Sequence, residues 1–469
     1  MSPKARTDNY DAIIVGSGPA GIFCALELIK ISPSIKILIV EKGKGLDKRA
    51  CPLANGARRC TACDECAVVS GWGGAGAYSD GKLSLSPEVG GHMGRYLDPA
   101  ELDSMISYVD GIYIKYGAPK SLYGEDEARI DEIKREAARN DLQFIHSRIR
   151  HIGTDRCREV LRRMYIYLAK KARIIFEEEV EAVLVEKARA VGIALKGGTK
   201  YNAPIVVLAP GREGSKWLEA VAHKLKLQTL QNPVDIGVRV EVPAAVMEPL
   251  TSATYEPKLI FNSRKFDDRV RTFCVNPYGE VVKEYLKGIW TANGHSYAKR
   301  RTDNTNFALL VSSTFTEPFK EPISYGRHIA ELANFLGKGV IVQRLGDLHS
   351  GRRSTPERLA RGMVRPTLRD SMPGDLSYVL PYRHMTAILE MLEALDRLAP
   401  GVNSRHTLLY GIEVKFYSMQ LSLSRDLESE VRGLYAIGDG AGVSRGLIQA
   451  SVSGVVAARA IEGHDEASR

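Results

Sequence analysis

Short apolar runs and helix-period stretches alternate along the first third of the chain. Asp11-Ala-Ile-Ile-Val15 is an unbroken apolar run after its first residue, followed by Gly16-Ser-Gly18-Pro-Ala-Gly21 and a helical stretch over 22–30. A second run, Ile35-Lys-Ile-Leu-Ile-Val40, ends in Glu41. Runs of this kind, apolar on both faces and linked by a helix, predict a βαβ unit in a buried parallel sheet. Further on, a helix over 155–171 leads into strand-like segments at 174–180, 182–187, 191–195 and 205–209, with a Gly197-Gly198 turn. Residues 216–404 have strand-like runs of their own at 235–242, 269–275 and 307–314 and a helix at 385–398, while two charged helices are expected at 101–116 and 125–140. Near the C-terminus, Gly433-Leu-Tyr-Ala-Ile-Gly438-Asp439 reads as a short strand entering a glycine turn, then a helix over 447–462.

These elements give an α/β chain in three parts. A discontinuous Rossmann-like domain is expected from 1–100, 150–215 and 405–469, a helical insert at 101–149, and an inserted α+β substrate or cap domain at 216–404. The 469 residues, 44% hydrophobic and 26% charged, have ordinary globular composition, which excludes disordered, collagen-like and coiled-coil classes. No apolar run approaches the roughly 20 residues of a membrane span, and no apolar signal core follows Lys4 and Arg6, so a cytoplasmic protein is expected. Lys and Arg outnumber Asp and Glu by 65 to 56. Part of the excess lies at Arg344, Arg352, Arg353, Arg358, Arg361, Arg365 and Arg369, which form either a solvated face or an anion-binding region.

The glycine triplet carries the first chemistry. Gly16 permits the tight turn, Gly18 lets a pyrophosphate approach the backbone, and Gly21 lets the helix pack closely on the strand, with Ser17, Pro19 and Ala20 completing the turn. Glu41, 20 residues after Gly21, is placed to accept hydrogen bonds from an adenosine ribose, and its charge disfavours a 2′-phosphate; Lys42 follows it. An ADP-containing dinucleotide is the expected ligand.

The C-terminal strand and turn resemble the flavin motif of the glutathione-reductase-type FAD superfamily. That resemblance implies FAD, with Gly438 and Asp439 at the ribityl chain or pyrophosphate and Leu447 and Ile448 opening a helix toward the flavin pyrimidine. Val206-Val-Leu-Ala209-Pro-Gly211 is similar to the superfamily strand that closes in Ala-Thr-Gly, with proline replacing threonine, and Val180 joins Ala209 and Gly211 as an implied contact. More specific is Ser70-Gly-Trp-Gly-Gly-Ala-Gly-Ala-Tyr-Ser79-Asp-Gly-Lys-Leu83. With Val270-Arg-Thr-Phe-Cys274-Val-Asn-Pro277, Asn293-Gly-His-Ser-Tyr297, Asn304-Thr-Asn-Phe307 and Tyr410-Gly-Ile-Glu-Val-Lys415 it resembles the uncharacterised FAD-dependent (NAD/FAD-utilizing) dehydrogenases over nearly the whole chain. The resemblance implies the flavin and an oxidoreductase fold, and fixes no substrate. Gly73, Gly74 and Ala75 are expected beside the isoalloxazine, the alternative being a flexible surface loop, and the flavin is expected where the cap meets the nucleotide domain. A second full dinucleotide fingerprint is missing, so NAD(P)H is expected only as a transient electron donor.

Cys51, Cys60, Cys63 and Cys66 fall within 16 residues. Their spacing leaves open an iron–sulfur cluster, a zinc, a redox dithiol and inert packed thiols. For proton transfer at the flavin the candidates are His295, Tyr297 and Lys415; Glu413 and Lys415 share a strand face, where they are equally able to pair with each other. Arg352 and Arg353, with Asn293, are the candidate clamp for a small, anionic substrate. The leading expectation is a hydride-transferring FAD oxidoreductase acting on such a substrate. Its competitors are an electron-transfer protein that uses the cysteine cluster and a redox protein partner, and an FAD-dependent RNA-modifying protein. The last is weakened because the arginine run has no interleaved aromatic, so nucleic acid is an unlikely partner.

Overall fold

The computed structural model describes residues 9–52, 63–230, 232–286, 288–296, 300–315, 319, 321–417 and 419–467. The chain divides into two compact units. The first comprises 1–121, 150–232 and 418–469, the second 122–149 and 233–417.

The first unit is built on a five-stranded parallel sheet in the order Leu434–Ala436, Ile205–Leu208, Ala12–Val15, Ile37–Glu41, Arg173–Phe176. Its central strands are buried residue by residue, as parallel strands covered on both faces must be. The helix Pro19–Ile31 begins with proline at its first turn, where no N–H is missed, and packs against the C-terminal helix Leu447–Ala467. A three-stranded antiparallel meander, Val180–Glu186, Arg189–Leu195 and Lys200–Asn202, sits between the fifth strand and Ile205–Leu208 in the chain. The first βαβ unit, the strands at 180–186, 189–195 and 205–208 and the C-terminal strand and helix form where expected, while the strand expected over 174–180 ends at Phe176.

The second unit carries an eight-stranded sheet in the order Met372–Pro373, Ile341–Arg344, Leu408–Lys415, Val234–Pro243, Asn304–Ser313, Arg269–Asn276, Lys258–Asn262, Leu142–Ile145, antiparallel except at its first pair. One face is apolar. Val234, Ile236, Val238 and Val240 pack with Phe307, Leu309 and Val311 against the helices Ala244–Thr254, Pro322–Gly337 and Tyr382–Leu398. The period of two turns Asp235, Gly237, Arg239 and Glu241 to the opposite face, yet these positions are buried as well.

The unit boundaries differ from those expected at 101–149, 216–404 and 405–469. The charged insert is divided: its first helix, Pro99–Lys115, lies in the first unit, while Glu127–Arg139 and the strand after it lie in the second, because Leu142–Ile145 pairs with Lys258–Asn262. Leu408–Lys415 is an inner strand of the second unit's sheet rather than part of the nucleotide domain. The helix Ser215–Leu225 remains with the first unit. Strand pairing, which is non-local, decided the placement of Leu142–Ile145 and of Leu408–Lys415.

Candidate functional site

In the first unit the phosphate turn is closed on two sides by backbone and open on the third. Gly16 has φ +104°, and a Cβ on it would come within 2.1 Å of the Ala209 carbonyl oxygen; one on Gly21 would come within 2.1 Å of the Gly16 oxygen. A Cβ on Gly18 would meet nothing within 4 Å, so the turn presents bare backbone on that side. Ser17 and Ala20 are buried, and Pro19 opens the helix. Ala209 donates its N–H to the Val15 oxygen at 2.8 Å, which holds the end of the neighbouring strand beside the turn.

Glu41 stands at the end of its strand as expected, but its oxygens serve the protein. Oε2 accepts from the Ser17 N–H (2.9 Å) and hydroxyl (2.8 Å), and Oε1 accepts from the N–H groups of Gly43 and Gly71 (both 2.9 Å). A carboxylate offers about four lone-pair sites, and all four are matched. Lys42 lies between two carboxylates, 3.6 Å from Glu65 and 3.9 Å from Glu213.

The glycine-rich segment is not a surface loop. Trp72 is fully buried and donates from Nε1 to the Leu161 oxygen at 2.9 Å. Gly73 N–H donates to the Ser17 oxygen at 2.8 Å, and a Cβ on Gly74 would sit 3.1 Å from the Gly18 Cα, so the segment rests directly on the phosphate turn. Gly71, Gly73 and Gly74 all have positive φ, which the approach requires of glycine. Ala75 is half-buried in the short helical turn Gly74–Tyr78. Arg49, not singled out from sequence, is 2% exposed, and its guanidinium binds carbonyl oxygens of this segment at Trp72 (2.6 Å) and Gly74 (2.9 Å) and of Ala67 and Val68 before it. Burial pulls its pKa down to about 10, so it remains a cation at neutral pH.

At the other motif, Gly438 has φ +76° and donates its N–H to Ser453 Oγ (3.0 Å); Asp439 Oδ1 accepts from the Ser444 hydroxyl at 2.7 Å, and Arg212 Nε lies 3.9 Å from Oδ2. Gly211 takes φ +62° just before Arg212. Leu447 is half-buried at the head of the C-terminal helix, and Ile448 and Val180 are buried.

Cys51 is half-buried, Cys63 and Cys66 are exposed, and Cys60 lies outside the described residues. Among the described residues no three His, Cys, Asp or Glu side chains converge on a metal position. The iron–sulfur or zinc expectation is therefore unsupported.

In the second unit the polar sheet face assembles residues far apart in sequence. Arg239 and Glu413, both fully buried, form a two-point ion pair (Nε to Oε2 2.8 Å, Nη2 to Oε1 2.9 Å). Lys415 Nζ is 3.1 Å from Glu413 Oε1 and 3.8 Å from Glu284. Burial alone would lower the lysine pKa, but the carboxylates of Glu413 and Glu284 more than reverse it, so Lys415 is held as a cation. Asn293 accepts from Arg239 Nη2 (3.2 Å) and donates to Glu284 (2.9 Å). Sequence reasoning found Lys415, Glu413 and Asn293 but missed Arg239, whose signal was an arginine alternating with valines, between Asp235 and Glu241, in a strand-like run. The ladder with Leu408–Lys415 shifts register between Gly237 and Arg239, where Leu408–Lys415 carries one extra residue. His295 ends the strand Ile289–His295 and is exposed, and Tyr297 lies outside the described residues.

The arginine clamp does not form as expected. Arg352 Nε is bound to the buried Asp347 (3.1 Å), which also takes the Ser354 hydroxyl (2.8 Å) and faces Arg344 (3.2 Å). Arg353 is exposed, with its carbonyl accepting from Arg358. The tandem pair thus splits: the first arginine neutralises a buried carboxylate that would otherwise be costly.

No helix among the described residues is long and apolar enough to cross a membrane. Residues 233–416 match the family model described as FAD-dependent protein, C-terminal domain-like, which covers the second unit from its central strand to its last. The whole chain is similar to an uncharacterized protein of Clostridium beijerinckii, 29% identical over 491 residues, spanning 99% of this chain and 83% of that one. Among solved structures it is similar to a formate oxidase of Aspergillus oryzae (TM-score 0.47, 12% identity, 99% of this chain and 100% of that one). It is also similar to the glycine oxidase of Geobacillus kaustophilus (TM-score 0.40, 14% identity, 97% and 95%) and to the quinol fumarate reductase of E. coli (TM-score 0.42, 14% identity, 99% and 71%). The matched domain is one of FAD-dependent proteins, and the same chain carries the glycine turn at 16–21, in which a Cβ on Gly18 would meet nothing within 4 Å.

Proposed function

We propose that this chain is an FAD-dependent oxidoreductase that transfers a hydride between flavin and a small anionic substrate. The observation that carries the reading is the phosphate turn, in which Gly16 and Gly21 are closed by backbone while Gly18 faces open space, on a chain whose other unit matches an FAD-dependent family. Gly18 and the first-turn N–H groups of the helix Pro19–Ile31, with that helix's dipole, would hold the pyrophosphate, while the Gly16 and Ser17 N–H groups, bound to the Val40 oxygen and to Glu41, shape the turn; Asp439, Gly438 and the head of the C-terminal helix would hold the ribityl chain and pyrimidine. FAD, when bound, supplies the N5 atom as hydride acceptor or donor.

The protein's own groups do the rest. The Lys415 ammonium, kept charged by Glu413 and Glu284, offers a carboxylate or phosphate of the substrate a fixed cation, and the two-point contact from Arg239 fixes the position of Glu413 and so orients Lys415. Asn293, tied to both Arg239 and Glu284, provides neutral hydrogen bonding at the same place. His295, with Tyr297 two residues later, supplies the groups that move a proton. NADH or NADPH would serve as a transient donor and a redox protein as an alternative one; the cytoplasm is the proposed location. The electron-transfer reading through cysteines is not favoured, because the described thiols do not converge.

The test is an anaerobic absorbance spectrum of the purified protein before and after titration with NADH and NADPH, with iron measured on the same sample. Flavin bands that bleach with nicotinamide, without iron, support the proposal. Iron–sulfur absorbance with no nicotinamide response refutes it.

A further inference from the structure

Arg49 is a buried cation whose guanidinium donates to main-chain carbonyl oxygens. Its Nε and Nη2 donate to the Ala67 oxygen (2.9 and 2.8 Å), Nη1 to Trp72 (2.6 Å), and Nη2 also to Gly74 (2.9 Å) and Val68 (3.1 Å). Its hydrogen bonds go to carbonyl oxygens rather than to a carboxylate, and the Glu41 charge acts on it through space. Buried ions normally have a counter-charge, because carbonyl dipoles replace only part of lost hydration. Two features suggest why arginine occupies this place. Its planar fork reaches carbonyls on both sides of the positive-φ glycines, at 67 and 68 and again at 72 and 74, which no single neutral side chain spans. Gly74, held by its oxygen, is the residue that rests on Gly18, while Gly71 N–H is held by Glu41 and Gly73 N–H by Ser17. Arg49, through carbonyl oxygens, and Glu41, through the Gly71 N–H, thus both hold the segment. The Tyr78 ring lies 5.1 Å from the guanidinium, and its hydroxyl donates to the Arg49 oxygen at 2.9 Å.

We propose that Arg49 is a positioning residue of the flavin cradle: it locks the glycine-rich segment onto the phosphate turn, and its buried charge stabilises the negative charge that the cofactor gains on reduction. The inference rests on the FAD reading above. A buried charge acts through little screening, so its field reaches the neighbouring cofactor region, whereas a surface lysine's is damped by water and salt.

The experiment compares wild type with R49K and R49Q, measuring FAD affinity by fluorescence titration of apoprotein and midpoint potential by equilibration with redox dyes. R49Q is expected to bind FAD about tenfold more weakly or worse, since charge-assisted hydrogen bonds are lost, and to show a lower midpoint potential. R49K keeps the charge without the fork, so its potential stays near wild type while its affinity falls. An R49Q potential equal to wild type, or an R49K potential as low as that of R49Q, overturns the proposal. If R49Q does not fold, R49K decides alone: wild-type potential with weakened affinity supports it, and a lowered potential overturns it. Wild type that binds no FAD overturns the FAD reading itself, a result distinct from all of these.

Discussion

Replacing Glu413 by Gln tests whether the buried network of the second unit is an ionic one. The substitution keeps size and one acceptor oxygen but removes the charge facing Arg239 at 2.8 Å and Lys415 at 3.1 Å, both held in a fully buried or nearly buried setting. Removing one partner of a buried pair costs about 3–5 kcal/mol, because the remaining charge stays desolvated. Two cations are left here, so the upper half of that range is expected. Against a typical total of about 5–15 kcal/mol this is a large fraction of the stability. For a unit of this size each kcal/mol moves the melting midpoint by about 2–4 °C, which gives a fall of about 8–20 °C for E413Q. Thermal unfolding followed by circular dichroism measures it, with E179Q as the control, since Glu179 pairs with Lys196 at the surface and no measurable shift is expected. A fall of less than about 2 °C in E413Q, with an unchanged folded spectrum, would mean that Arg239 and Lys415 are neutralised by other groups, and the argument for an oriented Lys415 would go with it.

Three further outcomes follow from the geometry. Gly18→Val should abolish FAD retention while leaving the apoprotein's melting midpoint unchanged, because its Cβ meets only open space; full flavin occupancy refutes the site. E41A should lower both apoprotein stability and FAD retention, because Glu41 joins the phosphate turn to Gly43 and Gly71; weakened FAD with unaltered apoprotein stability would instead favour a ribose contact alone. His384, depressed to about 4 by burial, with Arg383 adding and Asp268 opposing, is neutral when folded but protonates near pH 6.5 when unfolded. The unfolded state then binds more protons between these values, so stability falls as pH drops from about 6.5 to 4, by on the order of 3 kcal/mol from this group. H384Q should flatten that part of a pH-resolved denaturation profile, and a slope identical to wild type contradicts it.

Local chemistry was legible along the chain. The strand Ala12–Val15, the turn after it and the helix Pro19–Ile31 follow from residues within 20 positions of one another, since a glycine turn and a buried apolar run need no distant partner to be recognised. The same holds for Gly438 and the helix that opens at Leu447. Alternation in 235–242 predicted a strand, but not that both of its faces are buried.

Only the tertiary structure decided which charges meet. Arg239 and Glu413 are 174 positions apart, and their pairing depends on Leu408–Lys415 joining the second unit's sheet rather than the nucleotide domain. Arg352 looked free beside Arg353 until Asp347 was buried against it. Glu41 stood at the ribose position by spacing, yet the fold brings Ser17, Gly43 and Gly71 N–H groups to it. Arg49 carried no motif at all. A side chain's identity sets which hydrogen bonds and charges it offers, but its partners are selected by chain crossings, and burial then makes those selections energetically decisive.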